Sequence, residues 1–117
     1  MSKQKRPNLT LLTSTANSRT IEKETRIEIS RFAAKQIEKL PYFILKSIQD
    51  WQNTIEEDGL AMTRKIPGYH DEPLKGNRLG QRSIKLNRSW RLIYEEHEFE
   101  NETWITITVV EVNKHAY

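Results

Sequence analysis

The sequence predicts an α+β domain in which helices cover one face of a sheet and leave the other face open. An alternating segment comes first, two amphipathic helical patterns follow, and three strand patterns complete the chain. Because these three strands are consecutive and separated by short turns, we expect an antiparallel meander.

Length and composition limit the chain to a single small domain. It has 117 residues, of which 30% are charged and 36% hydrophobic, so the core is expected to be thin. No cysteine is present, which fits a reducing compartment and excludes a thiolate site. No apolar run approaches the ~20 residues of a spanning helix, and the first ten residues lack a secretory pattern. We therefore expect a cytoplasmic protein without a membrane partner.

The first half of the chain predicts an extension, a strand and a helical hairpin. Residues 1–24 are rich in Ser, Thr, Lys and Asn, so we expect a flexible extension preceding a domain over 25–117. The segment "TRIEIS" (25–30) alternates and predicts a strand. Helical spacing over 31–40 predicts a first helix, and Pro41 either ends it or opens the next. The second helix carries an apolar stripe and ends near Gly59. That stripe comprises Ile44, Ile48, Trp51 and Ile55.

The second half predicts an irregular segment over 60–80 and strands over 81–87, 90–96 and 103–112. A three-residue connection over 88–90 would pair Lys85 with Ile93 and place Arg91 and Lys85 on the open face. A two-residue loop would instead put Arg91 on the opposite side. Residues 99–102 predict the next turn. We expect Trp104 in the core, whereas Trp90 fits either the core or a stacking surface.

Positive charge is concentrated in residues 75–91. No carboxylate interrupts the sequence between Glu72 and Glu95, although the net charge of the chain is only +3. An anionic partner would explain the cluster, and an ordinary solvated sheet face is the alternative. The cluster comprises Lys75, Arg78, Arg82, Lys85, Arg88 and Arg91, and the end of the chain adds Lys114, His115 and Tyr117.

Three motifs in this order resemble the RelE/ParE superfamily of type II toxins, with the greatest likeness to YoeB-like and HigB-like mRNA interferases. They are "EPLKG" (72–76), "SIKL" with "WRLIY" (83–94), and the closing "HAY" (115–117). The resemblance covers residues 25–117. It implies a RelE-like microbial RNase fold and a cognate antitoxin. It also implies an endoribonuclease that enters the ribosomal A site, contacts rRNA and cuts mRNA without a metal or other cofactor.

The resemblance also implies roles for individual residues. Arg91 matches the arginine that contacts the scissile phosphate, and Lys85 matches a sheet lysine near it. Glu72 matches the general-base glutamate of YoeB-like toxins. His115 and Tyr117 match a C-terminal pair, with His115 suited to protonate the leaving oxygen because imidazole titrates near neutrality. The remaining cations are expected to contact RNA phosphates: Lys75, Arg78, Arg82, Arg88 and Lys114.

Two departures and two alternatives accompany this resemblance. Ala116 separates His115 from Tyr117, whereas YoeB-like chains place the two residues together. The N-terminal extension has no counterpart in shorter members. A ParE-like toxin that binds gyrase and a non-catalytic RNA-binding homologue are the alternative functions. His70 and His97 have no partner at ligand spacing, so the sequence predicts no zinc site.

Overall fold

A computed structural model describes residues 24–114, so the extension predicted over 1–24, apart from Glu24, and the chain end at 115–117 lie outside the described residues. The chain forms one five-stranded sheet in the order β1-β5-β4-β3-β2. The strands are β1 (Glu24–Ile29), β2 (Glu72–Pro73), β3 (Gln81–Lys85), β4 (Trp90–Glu98) and β5 (Trp104–Lys114). The helices are α1 (Arg31–Ile37), α2 (Tyr42–Asp58) and α3 (Leu60–Arg64). This α+β architecture confirms the predicted fold class.

The helical hairpin forms where the periodicity predicted it. Ser30 begins α1, because its Oγ accepts a hydrogen bond from the Ala33 backbone N–H at 3.0 Å. Glu38 ends α1 and Pro41 stands at the start of α2, so Pro41 opens the second helix. Gly59 ends α2 with φ of 87°, a conformation that favours glycine. None of the helices among residues 24–114 is long and apolar enough to cross a membrane.

The core lies between α2 and one face of the sheet. The aromatic rings of Trp51 and Tyr94 meet there with centroids 5.5 Å apart, and both side chains are fully buried. The predicted stripe of α2 faces the core along its whole length. It packs with the buried strand residues Ile84, Leu92, Ile107, Val109 and Val112 and with Leu86 just after β3, and Trp90 packs against this cluster.

Strand β5 occupies the second position of the sheet and contains a bulge. It pairs in parallel with β1 and antiparallel with β4. Ile93 opposes Glu111 and Tyr94 opposes Val109, so Val110 is an extra residue. Alternation alone would send Val109 and Val112 to opposite faces. The bulge lets both be buried on the helical side.

Two expectations about individual elements need correction. The segment 60–80, predicted to be irregular, contains α3 and the short strand β2. Trp104 does not join the core. Ile107 and Val109 face the helices, so the even-numbered Trp104 points to the other face. There the Arg26 guanidinium carbon lies 3.7 Å from the centroid of the Trp104 ring.

The β3–β4 hairpin has a different register from the one predicted. Lys85 opposes Arg91 and Ser83 opposes Ile93, so the expected pairing of Lys85 with Ile93 was wrong. Asn87 causes the shift: its Oδ1 accepts hydrogen bonds from the Ser89 and Trp90 backbone N–H groups at 2.8 and 2.9 Å. The loop is therefore 87–89. Because the shift is two residues, Lys85 and Arg91 still share one face.

Candidate active site

Lys85 and Arg91 form a cationic pair on the sheet face away from the helices, which we call the open face. Like charges directly opposite each other on neighbouring strands normally destabilise a sheet. No carboxylate of residues 24–114 forms an ion pair with either side chain. The arrangement therefore has an unfavourable interaction that an anionic ligand would relieve.

Ser83 fixes the guanidinium of Arg91. Arg91 Nη1 donates to Ser83 Oγ at 2.9 Å, and Ser83 is only 2% exposed. Arg91 Nε is buried and has no hydrogen-bond acceptor in the described part of the chain. A buried donor without an acceptor is costly, so this atom is suited to a ligand oxygen.

Glu72 lies on the same face as the cationic pair. It opposes Ser83 in the β2–β3 ladder, and residues directly opposite each other point to the same side. Standard sheet spacings put its Cα roughly 8 Å from that of Lys85 and roughly 12 Å from that of Arg91. The Glu72 side chain is exposed. A carboxylate and two cations are thus within the reach of one phosphodiester group.

Arg78 crosses part of the open face and closes it. Its Nε donates to Gln81 Oε1 at 2.8 Å, and its Nη2 donates to Glu111 Oε1 at 2.7 Å. Strand β4 lies between these two acceptors, so the Arg78 side chain spans it. Ile93 is only 7% exposed beneath this span. The open face is therefore less open than the sequence predicted, and its accessible part lies toward Lys85 and Arg91.

The other predicted RNA-binding cations are not all on this face. Lys75 follows β2 and Arg88 lies in the β3–β4 loop, and both are exposed. Arg82 opposes Pro73 and Tyr94, which places it on the helical side. Lys114 opposes Trp90, so it shares that side. His115 and Tyr117 lie outside the described residues.

A polar network behind the sheet was not anticipated from the sequence. The Asp71 carboxylate is 2% exposed and accepts hydrogen bonds from Arg82 Nε and from the Tyr94 hydroxyl, both at 2.6 Å. Arg64 Nε donates to the Tyr94 hydroxyl at 3.2 Å, and Arg64 Nη2 pairs with Glu96 Oε1. In the sequence, the only indication of this network is Asp71 itself, an acidic residue next to Glu72. No periodic pattern surrounds Asp71 that would predict its burial.

Two groups in this network have perturbed pKa values. Burial raises the pKa of the Tyr94 phenol, and its hydrogen bond to Asp71 adds to the effect. Burial tends to lower the pKa of Arg64, but hydrogen bonds to Tyr94 and Glu96 outweigh it, and the net shift is upward. The network thus keeps the phenol neutral and the guanidinium charged.

The described residues contain no group of three His, Cys, Asp or Glu side chains able to hold a metal ion. His97 Nε2 lies 3.2 Å from Glu95 Oε1, and its ring stacks on Phe99 with centroids 6.3 Å apart. This histidine lies toward the β4–β5 turn, far along β4 from Arg91. It therefore does not belong to the cationic pair.

Comparison with known proteins identifies the fold. No protein-family model matches the sequence, and no curated protein matches it either. Solved structures do match. The YoeB/ParE toxin from Agrobacterium tumefaciens is 16% identical with a TM-score of 0.57, covering 78% of this chain and 99% of the toxin.

Two further structures give the same result. YafQ from E. coli strain BL21(DE3) is 16% identical with a TM-score of 0.58, covering 77% of this chain and 92% of YafQ. The YoeB–YefM complex from Staphylococcus aureus contains a chain that is 23% identical with a TM-score of 0.54, covering 80% of this chain and 98% of that one. The protein therefore has the fold of the RelE/YoeB-like toxins.

Proposed function

We propose that this chain is the toxin of a type II toxin–antitoxin system and acts as a ribosome-dependent endoribonuclease. In this proposal it works in the cytoplasm and cuts mRNA in the ribosomal A site without a metal ion or other cofactor. The observation that carries the proposal is the cationic pair, Lys85 opposite Arg91, with the buried Arg91 Nε unpaired within residues 24–114. The toxin fold and the exposed Glu72 on the same face support it.

The proposed reaction is an attack of the RNA 2′-oxygen on the adjacent phosphorus. Glu72 accepts the 2′-hydroxyl proton, the new O2′–P bond forms, and the P–O5′ bond breaks to leave a 2′,3′-cyclic phosphate. Arg91 and Lys85 bind the non-bridging oxygens, whose charge grows in the transition state. His115 gives its proton to the departing 5′-oxygen, and Tyr117 stacks on a base or orients the phosphate. These last two roles rest on the resemblance alone.

The remaining cations are proposed to contribute to RNA binding in different ways. Lys75 and Arg88 are exposed, so they can bind phosphates directly, Arg88 next to the cationic pair and Lys75 beyond the Gln81 end of β3. Arg78 is held by Glu111 and must exchange that partner to bind a phosphate. Arg82 keeps its pairing with Asp71 and adds its positive charge to the attraction of RNA. Lys114 lies on the helical side and suits contacts at the rim.

An antitoxin is the proposed protein partner. Several structures similar to this chain were solved as toxin–antitoxin complexes, among them RelBE2 from Mycobacterium tuberculosis, with a TM-score of 0.52 and 18% identity. The YoeB–YefM complex is another. Co-expression with the product of the neighbouring reading frame should suppress the growth arrest that the chain alone causes.

Translation in vitro with the purified chain tests the proposed reaction. We expect mRNA cuts at fixed positions within codons, only when ribosomes are present, with a cyclic phosphate or 3′-phosphate on the upstream fragment. Loss of DNA gyrase activity without RNA cuts would favour a ParE-like toxin. RNA binding with neither effect would leave a non-catalytic homologue, and either result would overturn the proposal.

A further inference from the structure

The strand that carries Glu72 has little backbone support of its own. Strand β2 contains only Glu72 and Pro73, and proline has no N–H to donate. It lies at the edge of the sheet, between two short 3-10 helices, Pro67–Tyr69 and Gly76–Arg78. The next ladder-like hydrogen bond runs from the Leu74 N–H to the Gln81 carbonyl at 2.8 Å. So short a pairing cannot by itself hold a side chain in a fixed place.

The residue before Glu72 supplies the missing support. Asp71 accepts two short hydrogen bonds on the helical side, from Arg82 Nε and from the Tyr94 hydroxyl. Arg82 belongs to β3 and Tyr94 to β4, so one carboxylate joins the β2 segment to two strands of the sheet. Its side chain is 2% exposed, and a charged hydrogen bond shielded from water is stronger than one at the surface.

We infer that Asp71 is a positioning residue, which holds β2 against the sheet and thereby places the Glu72 carboxylate on the face of Lys85 and Arg91. Adjacent residues of a strand point to opposite sides. When Asp71 is anchored on the helical side, Glu72 must point to the open face. This inference rests on the proposed ribonuclease function for its catalytic consequence, and on the hydrogen bonds alone for its structural one.

The variant Asp71→Asn tests the inference because it keeps the size of the side chain and removes its charge. We expect kcat for mRNA cleavage to fall at least about tenfold with KM unchanged, since the cationic pair that binds RNA stays in place. We also expect faster hydrogen exchange at the Leu74 amide, with no change at the Leu92 amide in β4. Asp50→Asn, which breaks an exposed ion pair with Lys46 on α2, is the matched control.

A double variant separates positioning from general stability. If Asp71 acts through Glu72, then Asp71→Asn combined with Glu72→Gln should be no slower than Glu72→Gln alone. Additive losses, an unchanged kcat in Asp71→Asn, or an unchanged exchange rate at Leu74 would each overturn the inference. Should Asp71→Asn fold poorly, Tyr94→Phe removes one of the two donors and should show the same effects to a smaller extent.

Failure of the ribonuclease proposal can be distinguished from failure of the inference about Asp71. A wild-type chain that cuts no RNA would overturn that proposal. The exchange rate at Leu74 in the Asp71→Asn variant would still decide whether Asp71 holds β2 in place.

Discussion

At the scale of single residues, the guanidinium of Arg91 combines a fixed position with unused hydrogen-bonding capacity. Ser83 Oγ holds one nitrogen at 2.9 Å, while the buried Nε has no acceptor within residues 24–114. Such a preorganised donor gains most when negative charge develops next to it. Arg91 contributes little to the stability of the fold, because the like charge of Lys85 lies directly opposite it.

Arg91→Ala should therefore remove activity and leave the fold intact. Loss of one preorganised donor typically costs about 10²–10³ in kcat, so the variant should no longer arrest growth. The free energy of unfolding, measured with urea, should stay within about 1 kcal/mol of wild type, because a like-charge contact is lost together with one hydrogen bond. Arg31→Ala, which removes an exposed arginine on α1, is the control. Toxicity of Arg91→Ala at equal expression would contradict the proposed phosphate contact.

The raised pKa of Tyr94 predicts how the stability of the protein changes at high pH. Burial and the hydrogen bond to Asp71 raise the pKa of its phenol above the ordinary value of about 10. The unfolded chain therefore loses this proton first, and the stabilisation, complete below about pH 10, is lost as the pH rises further. We expect this group to lower the free energy of unfolding by up to about 1.4 kcal/mol per pH unit there. Tyr94→Phe should lack this component, and identical slopes for the two proteins would contradict it.

At the scale of elements, the β3–β4 loop determines which residues meet on the open face. Asn87 closes that loop with two hydrogen bonds from its side-chain oxygen. Asn87→Ala should destabilise the chain by about 1–2 kcal/mol, measured by urea unfolding, because two backbone donors lose their acceptor. Asn87→Asp keeps that acceptor and should stay near wild type. Equal losses in both variants would mean that the oxygen does not set the register.

The elements also show what the sequence can and cannot predict. The stripe of α2 and the alternation in β5 predicted both elements, because each buries one face against the core. The hairpin register was wrong, since a side-chain hydrogen bond from Asn87 decided it. Strand β2 and helix α3 were missed because two and five residues are too few to show a period.

In the site, too, features with a local sequence pattern were predicted and features set by long-range contacts were missed. Lys85 and Arg91 were placed on one face correctly, because a two-residue error in register preserves alternation. The burial of Ile93 was not predicted, and neither was the reach of Arg78 across β4 to Glu111, far away in the sequence. Asp71 was missed for the same reason: its partners come from two other strands. Long-range polar contacts leave no local pattern.

At the scale of the whole molecule, charge is divided between the two ends of the sheet. The cationic pair and Arg88 lie toward the β3–β4 loop. The segment 95–102 around the opposite turn contains five glutamates. A polyanion is attracted to the first end and repelled from the second, so RNA is expected to approach along the β3–β4 loop.

This division predicts how RNA binding depends on salt. For single-stranded RNA, the logarithm of the binding constant falls with that of the salt concentration by about 0.7 per phosphate contact. Arg88→Gln should reduce this slope by about 0.7, because the exposed Arg88 lies at the basic end. Lys35→Gln, on exposed helix α1, should leave the slope unchanged. Fluorescence anisotropy of a labelled RNA across a salt series gives both slopes. Equal reductions in the two variants would mean that RNA binds without regard to this face, and the location proposed for the active site would then be wrong.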